Sequence, residues 1–179
     1  MTDVDVTITT SQPPALPVNQ LPPLYFPVSV NKLVVMSIFT GGLYEVYWFY
    51  KNWQLIKNRE RSNIMPFLRA FFALFFCYAL FERISVAAKD SGFNAIDSGP
   101  LTVGWIIFAW AFGFLPIPYT LLSVLSVLFL ISVQRAVNQI NSRHSPQVDS
   151  NSHYTGWNIL WIVVGSIFWL AFLLALVVA

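Results

Sequence analysis

The sequence predicts an all-α integral membrane helical bundle, and three observations predict it. Hydrophobic residues make up 56% of the 179 positions and charged ones only 10%, against about 25% charged in an average soluble domain. A soluble fold of this size leaves too much of its area in water to hide so much apolar surface. The run from Trp157 to Ala179 is 23 residues without a charge, enough to cross a bilayer alone. The other apolar runs lack the alternation of a barrel, so helices remain, because lipid offers no partner to an open backbone group. About five transmembrane helices are expected, with four plus a re-entrant first segment as the alternative.

Residues 1–27 read as a flexible, Pro-rich tail. They hold no Lys or Arg, two acids and six prolines, and proline removes a backbone donor and disfavours helix in the residue before it. Residues 28–179 read as a single membrane domain. Its first helix is expected near 33–50, about the minimum length for a span. Gly41 and Gly42 in its middle allow a break instead. The polar stretch 51–63 reads as a basic juxtamembrane segment facing lipid headgroups through Lys51, Lys57, Arg59 and Arg61. A second helix is expected near 64–82, interrupted only by Arg69. The polar stretch 85–100 then forms an exposed connection.

Residues 101–133 are apolar throughout, too long for one span and enough for two short ones. Pro116 and Pro118 supply the turn, giving helices near 101–115 and 119–133. Gln134, Asn138 and Asn141 recur at helical spacing, so the fourth helix is expected to continue with one polar face until Pro146 ends it. The last helix covers 157–179. Five crossings place Arg59 and Gln147 on opposite sides of the bilayer. The density of positive charge in 51–63 favours the cytoplasm for that loop.

The formal net charge of +2 is too small for nucleic-acid binding. A lone cysteine, Cys77, builds neither a disulfide nor a metal cluster. The start of the chain has no basic segment ahead of a short apolar core, so no cleavable signal peptide is expected.

The block Gly42, Leu43, Tyr44, Tyr47, Trp48, Phe49, Tyr50, Lys51, Asn52, Trp53 is specific enough to serve as a marker. With PFLRAFFALFFCYALFERI, VQRAVNQIN and Gly156–Asn158, it resembles a group of small, uncharacterised bacterial multi-pass membrane proteins that share a GLYxxYWFYKNW-type block. The resemblance implies a bacterial inner-membrane location. It implies no activity and transfers no catalytic residue.

Tyr44, Tyr47, Trp48, Tyr50 and Trp53 lie where a span meets a basic loop, so they are read as interfacial aromatic anchors. Glu45 and Arg69 are the ionisable residues within spans, where charge is expensive and marks pairing or function. Each lies about 9 Å below the same interface at 1.5 Å per residue, so they are expected to form an intramembrane ion pair. Ala109 with Gly113, and Ala171 with Ala175, are small-xxx-small pairs read as helix-packing positions. Ser123 and Ser126 offer an interhelical hydrogen bond. His144, Asp149 and His153 match no metal-ligand spacing. No nucleophile elbow or phosphate-cradling loop is present.

These readings favour a non-enzymatic accessory, scaffold or envelope-interaction protein, without cofactor or metal. Its partners are membrane lipids and either another copy or a second membrane protein. A small oligomeric transporter or channel using Glu45 and Arg69 is the alternative.

Overall fold

A computed structural model describes residues 21–117 and 119–178. Residues 1–20 of the proposed tail 1–27, Pro118 and Ala179 lie outside the described residues. Among the described residues the chain is all-helical: α1 (Val30–Phe39), α2 (Leu43–Glu60), α3 (Pro66–Phe71), α4 (Ala73–Asp90), α5 (Ser98–Ile106), α6 (Val127–His144) and α7 (Gly156–Val178). A π-helical turn (Ile107–Ala111) and a 3-10 turn (Phe112–Phe114) extend α5, and a 3-10 helix (Tyr119–Ser126) leads into α6.

Two helical segments are long and apolar enough to cross a membrane, Tyr119–His144 and Gly156–Ala175. This departs from the five expected spans, and the causes are local. The expected helix 33–50 breaks at Gly41 and Gly42, whose φ values of 57° and 89° lie in the left-handed region open to glycine. Thr40 serves both sides of the break: its hydroxyl donates to the Met36 carbonyl at 2.7 Å and accepts from the Tyr44 N–H at 2.9 Å. The basic segment 51–63 is no separate element, because α2 runs through it to Glu60 and ends on Arg61 in the left-handed conformation (φ 47°, ψ 35°). The expected helix 64–82 is interrupted at Phe72, where ψ is 39° instead of helical.

The result is three helical hairpins with their open ends together. Phe26, just ahead of α1, donates its N–H to Asn52 Oδ1 midway along α2 at 3.0 Å. Arg83 in α4 is paired with Glu60 at the end of α2. Ser98 at the start of α5 donates to Glu82, and a Cβ on Gly92 would lie 3.7 Å from the Arg143 guanidinium near the end of α6. The first two hairpins turn at Gly41–Gly42 and Phe72. Those turns meet the deeper third hairpin around a cavity of about 210 Å³ lined by Gly41, Ala70, Ala73, Ala109 and Ser123. At 1.5 Å per residue α1 is about 15 Å long, half the hydrocarbon core.

Helix α6 packs against α1, α4 and α5, while α7 packs on α1. The core between them is aromatic. The Phe49 ring lies 5.2, 6.0 and 4.9 Å from those of Trp48, Phe81 and Trp105, spacings at which edge and offset contacts are favourable.

The close helix contacts are not the expected ones. Ala171 and Ala175 are exposed, and a Cβ on Gly113 would meet nothing within 4 Å. Only Ala109 of the four packs against the core. The tight approaches are at Gly165, where a Cβ would lie 1.9 Å from the Phe39 carbonyl oxygen, and Gly104, where it would overlap the Phe129 ring. Trp169 Nε1 adds a bond to the Ile38 carbonyl at 2.9 Å. Elsewhere α7 presents its apolar surface outward.

Candidate functional site

The open end of the bundle is organised by residues 22–28, which the proline content reads as flexible. The first turn of α1 is capped by Ser29, whose hydroxyl accepts from the Lys32 N–H at 3.3 Å. Ahead of it the backbone is extended and has no neighbouring strand, so its polar groups must find side chains. The polar face of α6 supplies them. Asn141 Oδ1 accepts from the N–H groups of Leu24 and Tyr25, and its Nδ2 donates to the Tyr25 carbonyl at 2.8 Å. Asn138 donates to the Val28 carbonyl at 3.1 Å. Gln134 Nε2 reaches the carbonyls of Phe26 and Val28, while its Oε1 accepts from Trp48 Nε1. Ser145 donates to the Pro22 carbonyl and Arg59 to that of Leu24. Spacings of four and three residues put the carboxamides on one helix face, each matched to the strap's backbone.

This strap joins the ends of α2 and α6. Arg59 and Ser145 both hold it within three residues of each other, at Leu24 and Pro22. The strap thus brings Arg59 and Ser145, two residues before Gln147, to one end of the bundle, where five crossings would set them on opposite sides. The three hairpins return the chain to one end. The basic residues that contacts place at that end are Arg59, on the strap, Arg83, paired with Glu60, and Arg143, beside Gly92. Part of the expected headgroup patch is committed to the fold: Arg59 also lies 5.3 Å over the Tyr25 ring, and Lys51 donates to Gln54 at 3.0 Å. Burial raises the Tyr25 phenol above its ordinary pKa, and the nearby Arg59 opposes the shift.

Of the expected aromatic anchors, Tyr44, Trp48 and Trp53 are core residues. Tyr47 remains exposed and Tyr50 is half-buried. The rings turn inward because α2 is covered by its neighbours, so proximity to a basic segment did not decide their place.

Glu45 and Arg69 do not pair. Glu45, 3% exposed, accepts from Trp105 Nε1 at 2.6 Å and from the Ser126 hydroxyl at 2.8 Å. Ser126 thus makes the interhelical bond its position allows. The Arg69 guanidinium lies 4.4 Å from the Trp53 ring centre and 5.2 Å from that of Phe76. Aromatic faces satisfy the cation and two neutral donors satisfy the carboxylate. Glu45 and Ser126 both line the cavity where the hairpin turns meet.

A second cavity, about 510 Å³, opens between the first hairpin and the start of α7. Lys32, which nothing in the sequence singles out as a site residue, is 2% exposed at one end of this cleft. Its ammonium donates to Asn151 Oδ1 at 2.8 Å and to the His153 carbonyl at 2.7 Å, and lies 5.9 Å from the Tyr154 ring centre. Burial lowers its pKa, and the Asp149 carboxylate opposes the shift. The signal that could find it is a lysine beside an N-capping serine, at the head of an apolar helix.

Compared with known proteins, the chain matches no family model, no curated protein and no solved structure.

Proposed function

We propose that this is a multi-pass protein of the bacterial inner membrane without catalytic activity: an accessory or scaffold that holds a basic platform against the cytoplasmic surface. The observation that carries the reading is the cluster of cations at the open end of the bundle, where Arg59 holds the strap, Arg83 pairs with Glu60 and Arg143 lies beside Gly92. Positive charge close to membrane segments favours the cytoplasmic side, and acidic residues weigh little in that rule. Glu60, paired with Arg83, and Glu82, which accepts from Ser98, share that end. In this arrangement the first two hairpins re-enter, the third crosses and returns, and α7 crosses once. The outward apolar face of α7 supports embedding, because soluble surfaces rarely expose such patches. The resemblance of the Gly42–Trp53 block to bacterial membrane proteins supports the location.

Crosslinking separates this reading from transport. A photoreactive side chain at Arg61, Asp90 or Arg143 is expected to capture a discrete membrane-protein partner or a second copy in intact cells. The same group at Phe114, far from the platform, should capture lipid. Solute flux through proteoliposomes that Glu45→Gln abolishes, with no capture from the platform, would overturn the scaffold in favour of a transporter.

A further inference from the structure

We propose that the cleft between α1, α2 and α7 binds the headgroup of an anionic phospholipid through the ammonium of Lys32. A buried cation needs compensation, and Lys32 has only neutral acceptors, Asn151 Oδ1 and the His153 carbonyl. Two of its three N–H bonds are used. Among the described residues no carboxylate lies within ion-pair distance of it, since the only such pair there is Arg83 with Glu60. A phosphodiester entering the cleft supplies the missing acceptor and a negative charge in direct contact, which the Asp149 carboxylate offers only from beyond ion-pair distance.

The lining is graded as an amphiphile requires. Asn151, Thr155 and Asn158 accompany Lys32 at the polar end, while Leu43, Trp157 and Trp161 are apolar walls. Leu43 and Trp157 are 65% and 73% exposed, so the cleft is open on its apolar side. At about 510 Å³ it lies within the usual range of small-molecule sites, about 300–1,000 Å³. A headgroup and the first carbons of one chain enter; the remaining chain runs out past Leu43 into hydrocarbon. A free anion would use the polar end and leave the aromatic walls bare, so a lipid is the occupant. The cleft exists because α7 is held to α1 lower down, at Gly165 and Trp169, and its first turns stand away from α2.

The inference rests on the membrane placement, and resistance of each variant to alkaline carbonate extraction separates failure of that placement from failure of the site. Native mass spectrometry of the full chain, released from detergent with defined lipids, tests it. Wild type should retain one phosphatidylglycerol at least tenfold more strongly than phosphatidylethanolamine. Lys32→Gln should abolish that preference. Leu43→Trp, which changes an exposed residue and fills the mouth of the cleft, should weaken both lipids and carries the test if Lys32→Gln does not fold. Lys89→Gln, which removes a charge away from the cleft, should change retention less than twofold. Equal retention of the two lipids by wild type would overturn the proposal. So would undiminished preference in Lys32→Gln, undiminished retention of both lipids in Leu43→Trp, or displacement of the lipid by millimolar inorganic phosphate.

Discussion

Gln134→Leu is expected to destabilise the protein by about 3 kcal/mol or more, with no change in membrane insertion. The substitution keeps much of the side chain's volume, so little of the cost comes from a cavity. It leaves Trp48 Nε1 and the Phe26 carbonyl without their partner and takes one of two donors from the Val28 carbonyl. Each buried polar group so orphaned costs about 1–3 kcal/mol. The residues concerned are buried, Trp48 and Val28 completely, so water cannot replace the amide. The loss should appear as a lower unfolding midpoint in detergent and, as the strap loosens, as faster exchange of the Phe26 N–H that Asn52 holds. Asn138 shares the Val28 carbonyl, so Asn138→Leu alone should cost less. An unchanged midpoint in Gln134→Leu would mean that the strap is not held by its carboxamides.

Glu45→Ala is expected to cost about 2–4 kcal/mol, because it orphans the Trp105 and Ser126 donors in the interior. Arg69→Ala should cost about 0.5–2 kcal/mol, the worth of a cation lying over aromatic rings. The two residues share no partner, so the double substitution should equal the sum of the singles within about 0.5 kcal/mol. Glu45→Gln, which keeps an acceptor oxygen, should recover much of the loss. A coupling above about 1 kcal/mol between positions 45 and 69 would instead support the ion pair that their depths along the sequence predict.

The parts of the fold legible in the sequence are those whose cause is local. Helix α7 follows from 23 uncharged residues, and the extension of α6 to His144 follows from apolar spacing that gives way to amides ahead of Pro146. The break at Gly41–Gly42 is marked by its glycines. The break at Phe72 has no such mark: it falls between bulky aromatic residues in a run that hydropathy reads as one span. The first of these breaks matches the re-entrant alternative, while the second is unannounced, and together they would reverse the side on which later segments lie.

The polar sites were harder to read because their partners are remote. The strap meets α6 across 106 to 117 residues of sequence, and prolines signal only that it is not helical. Counting charges pairs Glu45 with the one cation at its depth. Its actual partners, Trp105 and Ser126, are neutral and sit inside runs that read as apolar. Lys32 was visible as a charge, but its burial depends on the Asn151–His153 loop folding back over it.

The central claim is that all three hairpins open on one face. Single cysteines at Arg59, Asn94 and Gln147, in a Cys77→Ala background, test it most directly by reaction with a membrane-impermeant maleimide. All three are expected to react from the same side of sealed membrane vesicles, the cytoplasmic one. Reaction of Arg59 and Gln147 from opposite sides would contradict the hairpin arrangement and restore a bundle in which each apolar segment crosses.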